Sequence, residues 1–129
     1  MFQTILRLGA WCAIVTIGVL SLLPTEMRPP LPGSGHLQHV AAFLITVTLF
    51  SLGYPRRSPI VIIALFSTYA ASLEIAQHFA PGRHPAILDW IFGSLGVLIG
   101  AVVATLIMRL WLRSPDAIEK KAGTDKIGP

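Results

Sequence analysis

The sequence predicts an all-α integral membrane protein, a bundle of four transmembrane helices with both termini in the cytoplasm. Hydrophobic residues make up 53% of the chain and charged residues only 12%, whereas an ordinary soluble domain carries about 25% charged residues. Four stretches contain no Asp, Glu, Lys or Arg, namely 8–23, 40–54, 58–73 and 90–108. They lack the alternation of apolar and polar residues that the strands of an outer-membrane barrel would show.

Each uncharged stretch can be extended to a full membrane crossing. A transmembrane helix needs about 20 mostly apolar residues, and the stretch 90–108 is long enough as it stands. The other three reach this length when the flanking polar residues lie at the lipid–water boundary. We therefore predict helices over 5–23, 37–54, 58–80 and 88–112.

The first helix could be mistaken for a signal peptide, because Arg7 precedes an apolar run. The exit from that run reads Leu22-Leu23-Pro24-Thr25-Glu26, which contains no small-x-small cleavage site. We therefore expect the helix to be retained. The segment that follows it, 24–35, is rich in proline and glycine and is interpreted as an extended loop.

Short turns separate the later helices, and a polar tail follows the last one. Turns that contain proline, at 54–59 and 81–85, separate the second helix from the third and the third from the fourth. We predict a transmembrane domain over 1–113 and a disordered cytoplasmic tail over 114–129.

The basic residues predict the orientation in the membrane. Four crossings place both termini on the same side as the loop between helices two and three. That side carries Arg7, Arg56, Arg57, Arg109, Arg113, Lys120, Lys121 and Lys126, and the other side carries only Arg28 and Arg83. Because cytoplasmic loops are enriched in Lys and Arg, we expect a multi-pass protein of the bacterial cytoplasmic (inner) membrane. The net charge of +4 therefore serves topology and does not indicate nucleic-acid binding.

In this topology the remaining polar side chains converge on the outer face of the membrane. They are His36, His39, Glu74, Gln77, His78, Arg83, His84 and Asp89. Glu74, Gln77 and His78 stand at helical positions i, i+3 and i+4, so they share one face. Glu74 precedes Phe79 by five positions, about 7 Å below the exit of the helix. A carboxylate at that depth is costly unless it is paired or faces a wet cavity, which makes it a functional candidate.

Structural explanations compete with this interpretation. Glu74 could form an ion pair with Arg83, and Asp89 could stabilise a helix N-terminus. The histidines His78 and His84 are interpreted as boundary residues rather than ligands. A zinc site of His39, Glu74 and His78 is geometrically conceivable. The Glu-x-x-x-His spacing is a much weaker signal than a His-Glu-x-x-His motif, however, so we predict no metal and no cofactor.

A stripe of small residues on the fourth helix predicts close helix packing. Gly93, Gly96, Gly100 and Ala104 fall on one helical face together with Asp89. Small residues let the backbones of two transmembrane helices approach each other. This packing would also bring Asp89 toward the neighbouring helices.

These residues resemble the VanZ-like family of small bacterial membrane proteins over about residues 15–105. The resemblance is carried by Leu23-Pro24, by His39 and Phe43, by the string Glu74, Gln77, Pro81, Arg83 and Asp89, and by Gly96 and Gly100. The family is named for a protein linked to glycopeptide (teicoplanin) resistance, so the resemblance implies a function in the cell envelope. It implies no particular reaction.

The chain departs from the family pattern in two places. The family usually has Asp-Lys shortly before the histidine, where this chain has Gly35 and His36. It usually has Asn four residues after the aspartate, where this chain has Gly93. If the Lys and the Asn belong to the site, its chemistry is altered or lost in this chain.

Three functional hypotheses remain open at this point. The first is a non-catalytic envelope protein that binds a lipid or a lipid-linked cell-envelope precursor through His39, Glu74, Gln77, Arg83 and Asp89. The second is an enzyme acting on a lipid-linked substrate. Glu74 or Asp89 would be its general base, His39 a proton shuttle and Arg83 a stabiliser of negative charge. The third is a structural subunit with a Glu74–Arg83 clasp, acting as a homo-oligomer or with another membrane protein.

Overall fold

The computed structural model describes residues 1–27, 33–82 and 84–112. It contains four α-helices: α1 (Phe2–Leu22), α2 (Gly35–Gly53), α3 (Pro59–Gln77) and α4 (Ile87–Leu112). A single 3₁₀ turn, Thr25–Met27, follows α1. All four helices are long and apolar enough to cross a membrane, and the described residues include no strand. The predicted all-α fold with four membrane-spanning helices is confirmed.

Local sequence signals account for the helix boundaries. The side chain of Ser34 caps α2, since its hydroxyl accepts a hydrogen bond from the backbone N–H of Leu37 at 3.3 Å. Pro59 occupies the first position of α3, where its missing N–H costs nothing. At the end of α1, Leu23 is already extended, as expected of the residue before Pro24.

The third helix ends earlier than predicted, at Gln77 and not at residue 80. After Gln77 the backbone continues in a tighter turn, in which the N–H groups of Phe79 and Ala80 bond to carbonyls three residues back. This turn leads into Pro81 and Gly82, and Gly82 has a positive φ of 71°. Glu74 therefore lies three residues from the end of the helix, about 4.5 Å along its axis, and not about 7 Å from it.

The closest approach in the bundle is between α2 and α4, which also form its most extensive interface. A Cβ at Gly96 would overlap the carbonyl oxygen of Val40, and a Cβ at Gly100 would lie 2.6 Å from the carbonyl oxygen of Leu44. The small residues of α4 thus have the packing role predicted for them, with α2 as the partner.

The core of the bundle is narrow, and most large apolar side chains face outward. The buried cluster consists of Phe43, Val47, Ile62, Phe66, Ala70, Leu73, Val97 and Ala101. Apolar side chains such as Val15, Leu65 and Leu106 are more than half exposed, as expected of a surface that contacts lipid. Hydrogen bonds between helices add to the packing.

Two examples join α3 to its neighbours. The hydroxyl of Tyr69 donates to the carbonyl of Ile14 in α1 at 2.8 Å. The hydroxyls of Ser67 and Ser94 lie 2.7 Å apart and join α3 to α4. In a bilayer such bonds are worth about 1 kcal/mol each, so they fix the helices in register without dominating stability.

All four described arginines lie at one end of the bundle, which we call the arginine end: Arg7, Arg56, Arg57 and Arg109. The Nε of Arg7 donates to the carbonyl of Gly53 at 2.8 Å, and its guanidinium lies 4.8 Å from the ring centre of Tyr54. A cavity of about 300 Å³ opens among these side chains. The predicted tail, 114–129, lies outside the described residues.

Candidate functional site

The polar side chains identified in the sequence meet at the opposite end of the bundle from the arginines. The first turn of α2 carries His36 and His39, the last turn of α3 carries Glu74, and the first turn of α4 carries Asp89. We call these four residues the polar cluster. Because the ends of α2, α3 and α4 meet there, residues far apart in sequence become neighbours.

Three of the four form a compact triad. His39, Glu74 and Asp89 each present a nitrogen or oxygen atom, and these atoms all lie within 4.8 Å of one another. All three side chains are half-buried. The triad therefore combines one imidazole and two carboxylates from three helices, partly screened from water.

The orientation of the His39 ring follows from its backbone partner. Its Nδ1 lies 2.9 Å from the carbonyl oxygen of Gly35 in the same helical turn. A carbonyl can only accept, so Nδ1 carries the proton, and in the neutral ring Nε2 has a free lone pair. His39 is thus prepared to accept a proton or to bind a cation through Nε2.

Glu74 is fixed by the chain segment that enters α4. Its Oε2 accepts a hydrogen bond from the backbone N–H of Ala86 at 3.0 Å, and Ala86 directly precedes the first residue of α4. This bond ties the end of α3 to the beginning of α4 across the intervening turn. It needs only one carboxylate oxygen, so the other can face the triad.

Asp89 is held by a residue outside the triad, His36. The Nδ1 of His36 lies 2.9 Å from Oδ1 of Asp89, and the His36 ring stacks on Phe92 with 4.7 Å between ring centres. A carboxylate in the first turn of a helix is also stabilised by the helix dipole. Position and partner together fix the Asp89 side chain at the beginning of α4.

The other candidate residues are arranged differently. Gln77 is 2% exposed, and its Nε2 donates to the hydroxyl of Ser21 at 2.7 Å. It therefore packs α3 against α1. His78 is exposed with its Nδ1 3.3 Å from the carbonyl of Glu74. The predicted Arg83, and with it the Glu74–Arg83 pair, lies outside the described residues.

Two features of the site were not assigned to it from the sequence. The sequence predicts His36 at the same membrane face but gives it no binding role, although it stands three residues before His39 and would share its face. The hydrogen bond from the backbone N–H of Ala86 to Glu74 involves no side chain of Ala86, so no residue type in the sequence indicates it. The possible zinc ligands considered from the sequence are His39, Glu74 and His78. In the structure the third residue near His39 and Glu74 is Asp89.

Exposed apolar side chains flank the polar cluster along the chain. Leu37, Ile75 and Leu88 each adjoin a cluster residue in sequence, and each is more than half exposed. In a membrane protein such side chains contact lipid. The arrangement can hydrogen-bond a polar group, exchange protons with it, or hold a cation, beside a surface suited to acyl chains.

Comparison with known protein families gives a match over most of the chain. A family model described as VanZ/LLP1 matches residues 2–109, a range that contains almost all of the four helices and the whole polar cluster. None of the curated proteins and none of the solved structures compared with this chain matches it.

Proposed function

Since the chain belongs to the VanZ/LLP1 family, we propose that it is a cell-envelope protein that binds a lipid or a lipid-linked envelope precursor at the polar cluster. The observation that carries the proposal is the triad itself. One imidazole and two carboxylates from α2, α3 and α4 converge within 4.8 Å at a membrane-facing end of the bundle. Intramembrane ionisable groups that converge in this way mark binding sites and pathways by default.

The surroundings of the triad favour an amphiphilic ligand. A polar head group can bond to His39, Glu74 and Asp89 while its acyl chains lie against the exposed apolar side chains of α2, α3 and α4. The carboxylates select hydroxyl or ammonium groups, which donate hydrogen bonds. Arg83, in the connection between α3 and α4, adds a guanidinium suited to a phosphate or a carboxylate.

We place the protein in the bacterial cytoplasmic membrane, with both termini in the cytoplasm and the polar cluster in the outer leaflet. The support is that the described arginines lie at one end and the cluster at the other. A C-terminal fusion to alkaline phosphatase, which is active only outside the cytoplasm, should be inactive. A fusion to green fluorescent protein should fluoresce. The reverse pattern would invert the orientation.

In the cell, binding would serve envelope maintenance or resistance to glycopeptides such as teicoplanin. The support is family membership. Deletion or overexpression of the gene should shift the teicoplanin concentration that inhibits growth, and the Glu74→Gln variant should fail to restore it. If the same teicoplanin concentration inhibited all strains, the proposed resistance role would be excluded. The proposed binding of a lipid would not be affected by that result.

The direct test is native mass spectrometry of the protein in mild detergent. The wild type should retain a lipid or lipid-linked sugar that Glu74→Gln and Arg83→Ala lose, whereas His78→Ala, altered at an exposed residue on the same side of the bundle, should keep it. Retention by all variants, or by none including the wild type, would contradict the proposal. The same spectra show whether the protein forms a homo-oligomer or carries a protein partner.

A second candidate, an enzyme acting on a lipid-linked substrate, is favoured by one observation. The bond from Nδ1 to the Gly35 carbonyl leaves Nε2 of His39 without a proton in the neutral ring, and His39 belongs to the same compact group as Glu74 and Asp89, as acid–base catalysis requires. Turnover of the co-purified ligand should fall by 10²-fold or more in Glu74→Gln or His39→Ala. Unchanged turnover in both would exclude this mechanism.

A further inference from the structure

We propose that His39, Glu74 and Asp89 bind a divalent transition-metal ion, Zn²⁺ or Mn²⁺, and leave coordination positions open for a further ligand. The inference concerns the metal alone and stands whether or not a lipid binds. It contradicts the expectation from sequence that no metal is present, which depended on the weak Glu-x-x-x-His spacing. The structure supplies a different third ligand, Asp89, from another helix.

The distances suit one ion. Atoms bound to a common ion at about 2.1 Å lie about 3.0–4.2 Å apart, depending on whether they are neighbours or opposite. The three donor atoms lie within 4.8 Å of one another. Side-chain rotations that move each atom by less than about 1 Å would close the set around an ion.

Each ligand is also oriented by a group outside the triad. The Gly35 carbonyl takes the Nδ1 proton of His39 and so leaves Nε2 to bind. The backbone N–H of Ala86 fixes Glu74, and the His36 ring fixes Asp89. Metal-binding histidines almost always donate their other ring N–H to a carbonyl or carboxylate, and ligating carboxylates are themselves hydrogen-bonded.

The charges at the site favour a cation. Two carboxylates converge in a half-buried setting, while the arginines that the structure describes all lie at the arginine end. His36 can offset one negative charge at most. A divalent ion would neutralise both carboxylates and would let a phosphate oxygen approach a site that otherwise repels it.

The ligand types select the metal class. One imidazole nitrogen with carboxylate oxygens suits Zn²⁺ or Mn²⁺, whereas Ca²⁺ takes six to eight oxygen ligands. Three protein ligands with at least one open position is the arrangement of sites that bind water or substrate on the metal, not of closed structural sites.

The experiment uses the full chain carrying a purification tag without histidine, extracted in mild detergent and stripped with a chelator. Equilibrium dialysis against Zn²⁺ or Mn²⁺, with bound metal measured by inductively coupled plasma mass spectrometry, should give about one ion per chain for one of the two metals. His39→Ala and Asp89→Asn should weaken binding more than tenfold, and His36→Ala should weaken it about tenfold through Asp89. His78→Ala, a nearby histidine outside the triad, should bind like the wild type.

Absence of saturable binding of both metals, or equal binding by His39→Ala and the wild type, would overturn the inference. If the variants fail to fold, a Co²⁺ titration of the wild type tests the inference without them. Bound Co²⁺ should produce d–d absorption bands that added Zn²⁺ abolishes. Absence of these bands would also overturn the inference. The probe is the metal alone, so loss of lipid retention with intact metal binding would contradict the proposed function and leave this inference standing.

Discussion

The two ends of the bundle use ionisable residues in different ways. At the arginine end the charges have one sign, and Arg7 bonds the carbonyl of Gly53 in the last turn of α2 and stacks on Tyr54. At the other end, two carboxylates and the imidazole of His39, from three helices, lie close together. The first arrangement spreads its charges along the membrane surface, and the second concentrates them.

The difference shows which end requires a functional explanation. Backbone carbonyls at a helix C-terminus lack intrahelical partners, and a nearby arginine satisfies one of them; in the orientation we propose, the arginine also favours the cytoplasmic side. Topology and helix capping therefore account for Arg7 completely. At the cluster end, capping accounts for Asp89 in the first turn of α4, but it gives no reason for Glu74 and His39 to meet there.

The largest expected effect comes from glycines that set the helix spacing at each end. Gly96→Ala should destabilise the protein by about 1–3 kcal/mol or more, because its Cβ would overlap the backbone of Val40, the residue after His39. Gly53→Ala, at the arginine end, should cost less, because its Cβ would lie 3.1 Å from Cγ and 3.3 Å from the backbone nitrogen of Arg7, which are tight contacts but not an overlap. The thermal midpoint of monodisperse protein in detergent measures both.

The matched control for these two variants is Gly9→Ala. Its Cβ would meet only the side chain of Leu49 at 3.8 Å, an ordinary van der Waals contact. We expect its thermal midpoint to stay at or above that of the wild type, since alanine favours the helix. If Gly96→Ala were as stable as Gly9→Ala, the spacing of α2 and α4 would not depend on the glycine stripe.

A smaller effect should separate structural from binding residues on α3. Gln77→Leu removes the hydrogen bond to Ser21 in α1 and should cost about 1 kcal/mol, with ligand and metal retention unchanged. Glu74→Gln, three residues earlier, should lose retention with little change in stability. Thermal midpoints and native mass spectra on both variants provide the comparison. If Gln77→Leu lost the bound ligand or metal, Gln77 would be a binding residue after all.

The smallest effect is expected at the arginine end. Arg7→Lys keeps the positive charge, and therefore the orientation, but loses the planar group that stacks on Tyr54 and the Nε donor to Gly53. A loss of about 0.5–1 kcal/mol should follow, measured as a thermal shift. Arg56→Lys, at an exposed residue, should show none. A change in the orientation of either variant, detected with the reporter fusions, would contradict this account of the arginine end.

The sequence predicts the helices well because the information is local. Runs without charge define the four crossings, and Ser34 and Pro59 mark the beginnings of α2 and α3. The end of α3 was misplaced by three residues because the backbone tightens ahead of Pro81 and Gly82, which no hydropathy pattern records. The glycine stripe of α4 predicts close packing, but only the structure identifies α2 as the partner.

Local sequence information also predicts part of the polar cluster. Its membrane face follows from topology, and His39, Glu74 and Asp89 follow as the ionisable residues there. Which helix each residue faces depends on tertiary packing, so the burial of Gln77 against Ser21 and the pairing of His36 with Asp89 could not be derived. The hydrogen bond from Ala86 involves a backbone group that every residue except proline possesses.

The position of Asp89 at the beginning of the last helix has a consequence for biogenesis. Of the four helices, α4 leaves the ribosome last, so α2 and α3 enter the bilayer while Glu74 still lacks the N–H of Ala86 and the triad still lacks Asp89. Completion of the site therefore coincides with completion of the bundle. A chain arrested before α4 would leave a carboxylate without these partners in the membrane, a defect that quality-control proteases could recognise without sensing the fold itself.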